Sequence, residues 1–234
     1  MSLLKADLHI HTYYSNRSQH LRWGKLLGKL IIDSKQSPKD VLEKAQKVGL
    51  NVISITDHDE TEGCLEAMEL AKDYPITVVP GIEITTGEGH VLAYGITSKI
   101  PHNLGIKKTL EEIKKSNGIS VAAHPFSPQG IFYKKKNTKL ASGFDAIEVS
   151  SYLKGSICLK SQAFAKEKKI SVIAGSDSKY SDNIGSTYTE IYSTNHIESL
   201  LNAIKNGKTK PVIVNSSLPI TNAIKLLVNN YLKI

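Results

Sequence analysis

Apolar runs of this chain end, one after another, in the side chains that bind metals. Leu3 to Ile10 carries Asp7, His9 and His11 at its close, and Val52-Ile53-Ser54-Ile55-Thr56 runs into Asp57-His58-Asp59. Glu83 follows Gly81-Ile82, His124 follows Ile119 to Ala123, and Asp177 comes just after Ile170 to Ala174. Histidine is scarce, with 8 in 234 residues, yet five of them fall in or near these segments. Short runs rich in Val and Ile fit strands buried on both faces, as in a parallel sheet. The fold must therefore bring many strand ends to one place.

Helical patterns lie between the runs. Ser37 suits an N-cap and Pro38 the first helical position, while Val41, Leu42, Ala45 and Val48 form an apolar stripe that stops at Gly49. Similar patterns cover 62–74, 103–117, 156–169 and 197–206, with a last one at 219–232. Ile76 to Thr85 reads as a strand broken at Pro80-Gly81, and His90 to Tyr94 pairs with it as a hairpin through Gly87-Glu88-Gly89. Ala146 to Val149 and Val212 to Val214 complete the strands. Roughly seven strand–helix units imply an α/β fold, with residues 1–234 as one domain. A closed barrel carries its chemistry on the C-terminal rim of its strands, where all these ligands sit. An open sheet would leave many of those ends too far from its crevice. The expectation is a distorted, TIM-like (β/α)7 barrel.

Composition narrows the partners. The formal charge of +8 favours anions, including phosphate esters and nucleic acids, although lysines such as Lys134-Lys135-Lys136 also read as a solvated face. No apolar stretch approaches a membrane span, and Met1 to Ala6 lacks the regions of a signal peptide. Cys64 and Cys158 form no disulfide framework. No membrane contact and a cytoplasmic location are expected; the oligomeric state is left open.

His9 and His11 are two apart on a strand, so both imidazoles reach one side. Alone, the pair also fits two histidines satisfied by hydrogen bonds at a strand end. The other ligand segments favour a metal. Mixed imidazole and carboxylate ligation suits zinc, manganese or iron alike.

Five segments, in order, carry a resemblance. Asp7-Leu8-His9-Ile10-His11-Thr12 resembles the first motif of the PHP (polymerase and histidinol phosphatase) family, and Thr56-Asp57-His58-Asp59 its second. Gly81-Ile82-Glu83-Ile84 followed by His90 to Gly95, then Ala123-His124-Pro125, then Gly175-Ser176-Asp177-Ser178, are similar to the later ones. The resemblance spans residue 5 to about residue 185. It implies a PHP-type barrel holding divalent metals and hydrolysing phosphate esters. Carried over by position, His9, His11, Glu83 and Asp177 bind one metal, and Glu83, His90 and His124 a second, with Glu83 bridging.

At a third site the chain departs from the family pattern. Where relatives commonly have Asp or His after the first motif, it reads Ser15-Asn16-Arg17; where they have His after the last Asp, it has Lys179. Only His58 keeps a ligand type. Two metals are therefore expected, with Lys179, alone or with Arg17, as a fixed positive charge for the phosphate. His58 would orient substrate or act as general acid. Asp57 would orient a ligand or assist proton transfer, and Asp7 would orient a ligand histidine. Glu148 ends a strand on the same face and is read first as structural.

The implied activity is a metal-dependent phosphoesterase, with metal-bound hydroxide attacking a small phosphate monoester, a nucleotide or an oligonucleotide end. A histidinol-phosphate phosphatase is the second enzyme reading. A non-catalytic, metal-stabilised module that binds nucleic acid or a partner is the third. Residues 17–36, with Trp23 among basic residues, read equally as a lid that stacks on a base or as a helix packing Leu26, Leu27, Leu30 and Ile31.

Overall fold

The structure, a computed structural model, describes residues 1–18, 32–133, 136–150 and 155–214. Trp23, His20, most of the 17–36 segment and the last expected helix lie outside them.

The described strands form two five-stranded sheets. The first runs β10 (Thr209–Ile213), β9 (Thr187–Ser193), β1 (Ser2–Ile10), β2 (Val52–Ile55), β3 (Thr77–Val78). The second runs β4 (Gly81–Thr86), β5 (Gly89–Tyr94), β6 (Ile119–Ala122), β7 (Ala146–Ser150), β8 (Ser171–Gly175). The α/β class is as expected, but the hydrogen bonding does not close one ring of seven. Pro80-Gly81 breaks the third apolar run, so β3 stays with the first sheet and β4 opens the second. The β4–β5 hairpin and the β9–β10 pair add antiparallel ladders. The sheets touch at two seams through isolated bridges, Ile10 with Ser178 and His58 with Glu83. Both seams involve or adjoin the ligand segments.

The sheets share one core. Leu4, Ala6 and Leu8 from β1 pack with Leu92 and Tyr94 from β5, Val121 from β6 and Ile173 from β8. Helix α5 (Ile197–Lys205) adds Leu200, Ala203 and Ile204 to that core. The outer face of the first sheet is covered by α1 (Pro38–Lys47) and α2 (Glu62–Leu70), that of the second by α3 (Ile106–Lys115) and α4 (Gly155–Lys168). Helix α1 starts as its sequence dictates: Ser37 and Asp40 form a reciprocal capping box ahead of Pro38. Among the described residues no helix is long and apolar enough to cross a membrane.

Candidate metal centre

Each functional side chain is aimed inward by its place at a strand end. His9 lies on β1, His11 just after it, and alternate residues of a strand share a side. His124 and Asp177, after β6 and β8, have left-handed backbone (φ 27° and 50°). Such backbone costs a non-glycine residue on the order of 1 kcal/mol or more and persists only where its surroundings impose it. Here the surroundings are visible. The His124 N–H donates to Glu148 (2.7 Å) and the Ser176 N–H to Asp7 (2.9 Å). Gly175 lets β8 close on β1: a Cβ there would lie 2.5 Å from the Cβ of His9.

Six expected ligands converge. Nε2 of His9 and Nε2 of His11 are 3.1 Å apart. One Glu83 oxygen, Oε2, faces them at 3.3 and 3.2 Å, and Asp177 Oδ1 at 3.5 and 3.1 Å. Four donors bound to one tetrahedral zinc at 2.0–2.1 Å would sit about 3.3–3.4 Å apart. These five edges lie near that spacing, and His9, His11 and Asp177 form one group able to hold a cation, His9, Glu83 and His124 another. The other Glu83 oxygen, Oε1, lies 3.0 Å from His90 Nδ1 and 3.0 Å from His124 Nε2. One carboxylate thus faces different imidazoles with each of its oxygens.

The electrostatics describe a cage that wants positive charge. Burial alone would raise Glu83, but His58, His9 and His90 hold it well below the usual carboxylate range. Burial also opposes protonation of His9, yet Glu148, Glu83 and Asp177 lift it well above an ordinary imidazole. For His11, burial and the Lys179 ammonium press down, and Asp33, Asp177 and Glu83 outweigh them, raising it to about 9. Cations in the cage would take the place of those protons.

The remaining candidates fall at different distances from this centre. His58 is inside it, its Nδ1 3.3 Å from Glu83 Oε2. Burial holds that imidazole well below its ordinary pKa. Lys179 is also inside: its ammonium lies 2.8 Å from Asp177 Oδ1 and 3.5 Å from Asp33 Oδ1. Asp57 is buried one step out. It accepts from the Thr12 N–H (2.5 Å), the Thr12 hydroxyl (2.6 Å) and Ser15 Oγ (2.9 Å), and Ser15 Oγ lies 2.9 Å from His11 Nδ1. Arg17 is not brought in: it is exposed, its guanidinium 4.3 Å over the Tyr14 ring, and among the described residues it makes no ion pair. Asp7 touches no imidazole. It accepts backbone N–H groups of Ser176 and Gly185 (2.9 Å each), and burial pushes its carboxyl up to about 6.

One functional residue, Asp33, escaped the sequence reading, and a second, Glu148, was read first as structural. Glu148 is fully buried and sits 2.7 Å from Nδ1 of His9, fixing that ring so that Nε2 faces Glu83. Its place on β7, whose end lies on the same face as the ligands, was the available signal. Asp33 joins His11 and His58 as a third group of possible donors. It stands in a polar stretch with no periodic pattern around it, and the first-motif position that relatives use reads Asn16 here.

Comparison with known proteins agrees with this geometry. The PHP domain family model matches residues 28–226. An uncharacterized protein of Methanocaldococcus jannaschii is 39% identical over 125 residues, 53% of this chain and 70% of that one. A two-domain protein of Bacteroides vulgatus containing a predicted PHP-like metal-dependent phosphoesterase has a TM-score of 0.72 at 20% identity, over 91% of this chain and 65% of that one. The lesion-specific endonuclease Q of Pyrococcus furiosus has a TM-score of 0.62 at 17% identity, over 90% of this chain and 58% of that one. The chain thus spans less than two thirds of each of these solved proteins, and at such identities they attest the fold alone. The family model covers most of the sequence and the site geometry is in keeping with it: the chain belongs to the PHP domain family.

Proposed function

We propose that this protein is a phosphoesterase using two divalent cations, zinc, manganese or iron, to hydrolyse a small phosphate ester, a nucleotide or an oligonucleotide end. One observation carries the reading: the two oxygens of buried Glu83 face different imidazoles at 3.0–3.3 Å, Oε2 those of His9, His11 and His58 and Oε1 those of His90 and His124. His9, His11, Asp177 and Glu83 Oε2 would hold one cation; His90, His124 and Glu83 Oε1 would hold the other. Bound there, the pair would polarise the phosphoryl oxygens and lower the pKa of a water.

The chain's own residues do the rest. Glu148 orients His9, Ser127 Oγ faces His124 Nδ1 at 2.9 Å, and Ser15, held by Asp57, faces His11 Nδ1 at 2.9 Å. Each contact fixes the ring so that its other nitrogen meets Glu83. Asp57 therefore acts through Ser15, as an orienting group. Lys179 keeps a positive charge at the rim for the substrate phosphate. His58, with Nδ1 3.3 Å from Glu83 Oε2, is placed to orient the substrate or to act as general acid. The formal charge of +8 favours an anionic substrate, and endonuclease Q is a structural relative that is a nuclease. A screen of phosphomonoesters, phosphodiesters and short oligonucleotides with manganese or zinc tests the reading, with His9→Ala as blank. Turnover that survives His9→Ala or saturating chelator would contradict it.

A further inference from the structure

Lys179, Asp33 and Asn16 meet at one corner of the centre, and their contacts are those of a built unit. Asn16 clamps the backbone of the 33–34 segment: its Oδ1 accepts from the Asp33 N–H (2.7 Å) and its Nδ2 donates to the Ser34 carbonyl (2.8 Å). Ser34 Oγ then donates to the carbonyl of Lys179 (3.0 Å) and to that of His11 (3.2 Å). Gln36 Nε2 ties the same strand ends, donating to the carbonyls of His11 (2.5 Å) and Ser178 (3.2 Å). Asp33 is thereby held, 7% exposed at its side chain, with Oδ1 3.5 Å from the Lys179 ammonium. On its other side that ammonium meets Asp177 Oδ1 at 2.8 Å.

We infer that the Lys179 ammonium, tethered by Asp33 and Asp177 and backed by Asn16, stands where a third cation would otherwise bind, so that the chain is built for two metals. The inference rests on the two-cation reading above and adds a role for Asp33 and Asn16. A third cation would draw on His11, Asp33 and His58. Nε2 of His11 already belongs to the donor set with His9, and its Nδ1 faces Ser15 Oγ. Asp33 and His58 remain, and Asp33 carries an ammonium within ion-pair distance. A divalent ion placed there would meet a like charge in a buried, poorly screened pocket. One feature favours a metal: Asp33 Oδ2 is buried without a hydrogen-bond partner, 3.4 Å from His11 Nδ1. Counting the metals decides between the two.

The experiment is metal analysis of the purified full chain after saturation with Mn2+ and removal of free ion. Circular dichroism on the same samples checks folding. Wild type is expected at two ions per chain. Lys179→His, which swaps the ammonium for a ligand nitrogen, is expected to rise to three. Asp33→Asn is expected to stay at two while KM for a phosphomonoester rises about tenfold, the scale of one charge-assisted hydrogen bond, with a smaller change in kcat. Three ions in the wild type, or two in a folded Lys179→His, would overturn the inference and leave the phosphoesterase reading standing. Fewer than two ions in the wild type, with no hydrolysis, would sink both.

Discussion

Around Glu83 the facing donors are imidazoles, and none of them pairs with a fixed cation of the chain itself among the described residues. At the Lys179 corner, a few ångströms away, two carboxylates are already closed on an ammonium. On the proposed reading the first region satisfies its charge by taking in ions, whereas the second satisfies it with the ammonium of its own side chain. Both are assembled from the same strand ends, so topology alone does not set the metal count. What sets it is the identity of a few residues beside the ligands.

Predictions can break this comparison at several points. The largest effect belongs to Glu83→Gln, which weakens both cation positions at once; hydrolysis should fall by about 10²–10³-fold or more and metal content with it. Unchanged metal content would mean that Glu83 is not shared. Glu148→Gln leaves every ligand in place but frees the His9 ring. A loss of about 10–100-fold in metal affinity or activity is expected, measured by metal-dependent activity titration. Lys179→Met should raise KM for a phosphomonoester by about tenfold without lowering metal content, since it removes a positive charge but no metal-binding atom. The smallest effect is away from the chemistry. Tyr94 is buried between the sheets, and its hydroxyl donates to the Leu8 carbonyl at 2.7 Å. Tyr94→Phe should cost about 1–3 kcal/mol of stability in thermal unfolding, with metal content unchanged.

Much of the fold was legible because its signals are local. The N-cap at Ser37, the break at Pro80-Gly81 and the hairpin into His90 follow from the chemistry of those residues, and the structure has all three. Strand β9 was not read. Its sequence, Thr187-Tyr-Thr-Glu-Ile-Tyr-Ser193, has no Val/Ile run, and its pairing with β1 and β10 is a long-range fact. Apart from the expected β4–β5 hairpin, the single ring assumed parallel neighbours, whereas β1–β9, β9–β10 and β5–β6 are also antiparallel. At the site, the histidine ligands announced themselves as a residue type scarce elsewhere in the chain. Their supports did not. Asp33 looks like any polar loop residue until Asn16 is seen holding it, and Glu148 is one of many carboxylates until it meets His9. Asp7 seemed bound for an imidazole, but backbone N–H groups of two distant loops reach it first.

Anomalous diffraction from crystals soaked in manganese tests the shared carboxylate most directly. Two peaks about 3.5–4 Å apart, one against each oxygen of Glu83, are the expected result. A single peak, or a pair in which Glu83 touches only one ion, would contradict it.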